Sequence, residues 1–120
     1  MDNYTNASTS WQLKKKGFPQ PPTDRGQIWF DTDGTPFESN EFSKLDLRHF
    51  AFAPTATDIL MKRPGLKLEF TGTEWMVRKP GTFTSGVDDN GFDFDSYIPG
   101  EILAKHENPA EACALAFMDK

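Results

Sequence analysis

Cysteine is almost missing from this 120-residue chain: Cys113 stands alone, so no internal disulfide can form. The length fits one domain, and such a domain buries roughly 65% of the surface its unfolded chain exposes, enough for a core without covalent staples. Histidine is nearly as scarce, with only His49 and His106. One thiol and two imidazoles fall short of the four ligands a structural zinc requires. A Cys113–His106 nucleophile–base pair would have to form across a strand–helix junction and is disfavoured. Cys113 lies in the apolar run Ala112-Cys113-Ala114-Leu115-Ala116-Phe117 and reads as a small buried hydrophobe.

Long apolar runs are also lacking. No stretch of about 18 apolar residues occurs, which excludes a spanning helix and makes a membrane partner unexpected. The first ten residues lack the charged-then-apolar layout of a signal peptide. Asn6-Ala7-Ser8 matches a glycosylation sequon but has no secretion signal behind it. A disulfide-free chain of this kind suits the cytoplasm. No glycine-rich fingerprint opens a helix after a strand, so no cofactor is expected. Positive charge is in deficit, with 13 Lys and Arg against 18 Asp and Glu, a net −5. That balance disfavours phosphate backbones, and no nucleic-acid partner is expected. The one basic run, Lys14-Lys15-Lys16, reads as a solvated helix end favoured by the helix dipole.

Aromatic residues, by contrast, are plentiful: 11 Phe, 3 Trp and 2 Tyr, within a chain that is 37% hydrophobic. This is too apolar for a disordered chain. The periodicities predict an α+β domain spanning 1–120, with residues 1–7 flexible. A short helix covers 8–16, capped by Ser8 or Ser10 and stopped at Gly17. A hairpin follows, 27–31 and 35–38 around Asp33-Gly34, with Pro36 confining the return to an edge. Residues 39–49 are ambiguous. Thr55 caps a second helix with Asp58 at N3, and Pro64-Gly65 ends it.

Leu66, Leu68 and Phe70, then Trp75 and Val77, alternate with polar neighbours as two strands, and 101–107 supplies a third. Asn108 at the N-cap, Pro109 at N1 and Glu111 at N3 open the best-marked helix in a capping-box-like arrangement. The architecture implied is a small antiparallel sheet, a hairpin plus a three-stranded meander, packed on one face by two or three helices. Residues 81–100 form a long acidic and aromatic loop. A structureless stretch of that length is uncommon in a compact domain, so part of it should be strand. Phe92, Phe94 and Tyr97 would then face one way, and Asp93 and Asp95 the other.

No catalytic set emerges, and the chain reads as a non-enzyme. Asp88, Asp89, Asp93 and Asp95 are the strongest candidates for a metal site, since Ca²⁺ takes six to eight oxygen ligands. Their spacing misses the twelve-residue calcium loop, as does Asp31-Thr32-Asp33-Gly34, whose twelfth position is Asn40. A small Ca- or Mg-dependent enzyme or binding module built on 88–95 is the alternative function. The aromatic surplus favours a different one, with Trp29, Phe92 and Phe94 as candidate contacts for an unknown protein partner or a homodimer.

Three motifs carry a resemblance. Ser10-Trp11-Gln12-Leu13-Lys14-Lys15-Lys16-Gly17-Phe18-Pro19-Gln20, Ala53-Pro54-Thr55-Ala56-Thr57-Asp58-Ile59-Leu60 and Asn108-Pro109-Ala110-Glu111-Ala112 occur in that order. The set resembles small uncharacterised proteins of tailed phages and prophages. The resemblance implies a phage-type accessory protein, which brings no residue-level role with it. Residues 81–100 depart from the pattern by being longer.

Overall fold

The computed structural model describes residues 4–40 and 44–119. Asn6 caps helix α1 (Ala7–Lys15), its side chain accepting from the Thr9 amide, and Leu13 and Ser10 face inward. The cap therefore lies ahead of both serines. Ser10 is needed elsewhere, bonding Thr5 and the Asn6 carbonyl inside the protein. Thr5 is fully buried and Tyr4 bridges Thr55, so residues 4–7 are an anchored entry rather than a flexible lead. Residues 1–3 lie outside the described residues. Lys14 corrects the picture of a solvated basic run. Its ammonium donates to the Phe50 carbonyl at 2.8 Å and sits over the Trp11 ring, and burial lowers its pKa from the ordinary lysine value.

Strands β1 (Ile28–Asp31), β2 (Pro36–Glu38) and β3 (Phe50–Phe52) form an antiparallel sheet in the order β2-β1-β3. Pro36 lies on the edge strand, where a missing N–H costs nothing. Thr55 caps helix α2 (Ala56–Lys62) in a reciprocal capping box with Asp58. Strands β4 (Lys67–Phe70), β5 (Trp75–Arg78) and β8 (Ile102–His106) build a second antiparallel sheet, ordered β4-β5-β8. Between β5 and β8 the chain makes a separate hairpin of β6 (Thr82–Val87) and β7 (Asp93–Ile98).

Helix α3 (Pro109–Met118) closes the body. Pro109 opens its first turn, and the Asn108 carbonyl oxygen of the side chain accepts from the Ala110 and Glu111 amides. Small residues at 110, 112, 113, 114 and 116 are all fully buried, so the helix lies close against α1, α2, β5 and β8. Arg63, just after α2, donates to the Ala116 and Phe117 carbonyls and ties the two helices together. The core joins Leu13, Phe18, Trp29, Phe52, Ile59, Val77 and Cys113. Among the described residues the fold is thus α+β, with three helices and small antiparallel sheets. Among the described residues the strands make three small sheets, β2-β1-β3, β4-β5-β8 and the β6–β7 hairpin, in place of one, and β3 joins the first hairpin through β1.

Candidate functional site

The hairpin of β6 and β7 projects from the body as an arm. Its six registered pairs run from Thr82↔Ile98 at the base to Val87↔Asp93 near the tip. The molecule measures 66 × 27 × 23 Å with a radius of gyration of 18.5 Å, against about 14 Å for a compact chain of this length. The segment 81–100, which the sequence marks as a long loop holding part of a strand, is a hairpin of two six-residue strands. The Asn90-Gly91 dipeptide between two β-prone runs was the available signal.

Local chemistry fixes both ends of the arm. At the tip, Asp88 Oδ1 accepts from the Asn90 and Phe92 amides, and Gly91 takes a φ of 85° that a side chain would resist. At the base, β5 and β8 pair directly, and the arm leaves between them through Pro80-Gly81 and returns through Pro99-Gly100. A register shift at Val77/Arg78 marks the exit. Arg78 Nη1 donates to the Gly100 carbonyl, the Lys79 amide donates to the Glu101 carbonyl, and Lys79 and Glu101 pair at 3.3 Å. A Cβ on Gly100 would overlap the Lys79 carbonyl, so only glycine permits the two feet to approach this closely. Lys67 Nζ donates to Tyr97 Oη at 2.7 Å and braces the base from the neighbouring edge strand.

Strand alternation sorts the arm into two faces. Phe83, Ser85, Val87, Asp93, Asp95 and Tyr97 share one; Thr82, Thr84, Gly86, Phe94, Ser96 and Ile98 share the other. Tyr97 thus falls with the aspartates rather than with Phe94, because it lies an odd number of positions, three, after Phe94. Phe92 belongs to the tip, ahead of β7. Gly86 leaves room for the Phe94 ring, which lies against its backbone. Six large apolar side chains are exposed on this one element, Phe83, Val87, Phe92, Phe94, Tyr97 and Ile98, with Phe92 at 70%.

Trp29 is no part of this surface. It is 0% exposed in the middle strand of the first sheet, its ring tilted against Phe52 with 5.4 Å between ring centres. Its indole N–H donates to Gln27 Oε1. A central strand flanked on both edges buries Trp29 and Phe30 together, which removes Trp29 from the partner contacts the sequence suggested.

Among the described residues, no three Asp, Glu, His or Cys side chains converge as a metal site would need. Asp88 is occupied by its turn, and Asp93 and Asp95 follow one another along a single face. Asp31 likewise serves its own turn, accepting from the Asp33 and Thr35 amides. Cys113 is sealed in the core, and burial pushes its thiol up to about 11. His106 is exposed and accepts the Asn108 amide through Nδ1. Glu111 does not return to its N-cap: Oε1 accepts from Thr9 Oγ1, while the buried Oε2 has no partner among the described residues. The capping box expected there is accordingly half-formed.

The body carries an open groove that the sequence did not announce. Its volume is about 570 Å³, and Phe18, Pro21, Ile28, Phe52, Met61 and Lys62 are among its walls. It forms because Gln20 turns back to donate to the Phe18 carbonyl and accept the Phe52 amide, which holds the proline segment against β3. No helix among the described residues is long and apolar enough to cross a membrane. Compared with family models, curated proteins and solved structures, the chain matches none.

Proposed function

We propose that this chain is a non-enzymatic binding protein whose β6–β7 arm docks on another protein. One observation carries the reading: a two-stranded hairpin stands clear of the body with both faces in water and six large apolar side chains exposed on it. An isolated hairpin is marginally stable in water, and an exposed apolar surface of this kind marks an interaction site. Aromatic anchors at an interface centre contribute disproportionately to affinity, which favours Phe92 and Phe94 as the contacts. The role agrees with the phage- or prophage-type accessory proteins that the sequence motifs resemble. A single buried cysteine suits a reducing cytoplasm.

The direct test replaces residues 80–100 by an Asn-Gly turn joining Lys79 to Glu101, which already hydrogen-bond to each other. Full-length and shortened chains are compared by quantitative affinity capture from cells of the source. The shortened chain should keep its circular dichroism and lose the captured proteins. Equal capture by both would refute the arm as the docking element.

A further inference from the structure

A second cavity, of about 400 Å³, opens where the first turns of α1 and α3 meet, beside β1 and the end of β8. We propose that it binds a primary ammonium group, carried by a small amine or by a lysine side chain of another protein, with Glu111 as the anionic acceptor. Glu111 lines the cavity yet is only 4% exposed, and its Oε2 is buried without a partner among the described residues. A buried carboxylate oxygen left unpaired is costly, and such charges are ordinarily met by a cation. No Lys or Arg is among the described residues lining the cavity. The polar side chains around it are already engaged. Thr5 bonds Ser10, and Asn6 accepts the Thr9 amide. Asn108 accepts the Ala110 amide and donates to the Tyr4 carbonyl, and His106 Nδ1 accepts the Asn108 amide. Glu111 Oε2 is the acceptor that this set leaves unmet.

The geometry selects among cations. Oε1 is taken by Thr9 Oγ1 at 3.0 Å, so a single oxygen remains to receive a ligand. A guanidinium is recognised best by two parallel bonds to both oxygens of a carboxylate, which this site cannot offer. A divalent metal needs several oxygen ligands, and no three acidic, His or Cys side chains converge among the described residues. An ammonium is a compact donor that one oxygen can meet. Aromatic walls favour the same charge. Tyr4 and Phe30 both line the cavity, with ring centres 6.3 Å apart, and an aromatic face attracts a cation lying within about 6 Å. Ala7 and Pro36 add apolar wall for the methylenes behind the nitrogen. The frame is fixed, since Tyr4 bridges Thr55 and its carbonyl is held by Asn108. No residue of the arm takes part, so this site stands independently of what the arm binds.

The test is an amide-resolved NMR titration of the full chain with butylammonium chloride, against sodium chloride at equal ionic strength. Shifts should saturate, with half-occupancy at or below about 10 mM, and concentrate in residues 4–7 and 106–111. Butanol, equally long but uncharged, should shift nothing, and butylguanidinium should bind at least about fivefold more weakly. Glu111→Gln can still accept from Thr9 through its amide oxygen and should weaken binding at least about tenfold. Circular dichroism checks its fold; should it unfold, the butanol and butylguanidinium comparisons on the wild-type chain still decide. Butanediamine and a capped glycyl-lysyl-glycine peptide separate the two sources. Tighter binding of the diamine assigns the site to free amines, and tighter binding of the peptide assigns it to a protein's lysine. No saturable shift up to about 100 mM butylammonium overturns the proposal, as does equal binding of butanol or undiminished affinity in a folded Glu111→Gln.

Discussion

The phenol of Tyr97 occupies the space that a Cβ on Gly81 would need. The ring closes over the foot of the arm, where Lys67 holds it by a hydrogen bond and sits 4.8 Å from its centre. Gly81→Val should therefore expel Tyr97 and loosen the hairpin without touching the core. Amide exchange across 82–98 is expected to accelerate by about tenfold or more, the equivalent of 1–3 kcal/mol of overpacking strain, while the body keeps its protection. Equal acceleration in the body would show that the arm's base is coupled to the core.

Two aromatics of similar chemistry should respond in opposite ways. Trp29→Ala empties the centre of the core and should cost about 3–5 kcal/mol in urea unfolding. Phe92→Ala removes an exposed ring and should stay within about 0.5 kcal/mol. A large loss at Phe92 would mean that the tip packs against something in the isolated chain.

How much of this the sequence disclosed depends on which signals are local. Thr55 with Asp58, and Asn108 with Pro109, satisfy orphan amides within one turn, so α2 and α3 begin where those residues say they must. Alternation likewise located β4, β5 and β8. The burial of Trp29 depends on β3 arriving from more than twenty residues away, which no local pattern encodes. The arm was obscured for a related reason: its two faces both mix apolar and polar residues, since neither is packed on a core, and period-two contrast is weak there. The groove arises from three separate segments and could not be read from any one of them.

Asn108→Ala should destabilise the protein by about 1–2 kcal/mol, because the side chain serves the first amides of the helix around which the core is built. Asn108→Asp should recover most of that loss in thermal melts.

The pH dependence of Cys113 has a definite sign. Its thiol is pushed up to about 11 in the folded protein by burial, whereas an unfolded chain ionises near 8.5–9. Between those values the unfolded state has lost the proton and the folded state retains it, so this contribution to stability is intact below about pH 8.5 and is lost as pH rises toward 11, on the order of 2 kcal/mol. Urea titrations at pH 8 and pH 10 should show the drop in the wild type and a smaller one in Cys113→Ala. Thiol reagents at pH 8 should label the protein only after denaturation.

Calorimetry with Ca²⁺, Mg²⁺ and Mn²⁺ provides the check on residues 88–95. With Asp88 committed to the tip turn and Asp93 and Asp95 strung along one strand face, no binding heat is expected at millimolar metal. A saturating isotherm abolished by Asp93→Asn would install a cation site at the tip.

The packing of α3 against α1, α2, β5 and β8 has a consequence for biogenesis. During vectorial synthesis, the surfaces of α1, α2, β5 and β8 that the alanine-rich helix covers emerge exposed and stay so until that helix is made. Nascent chains stalled before residue 109 should bind chaperones and be cleaved readily by protease, and both vulnerabilities should vanish together once residue 118 clears the ribosomal exit tunnel.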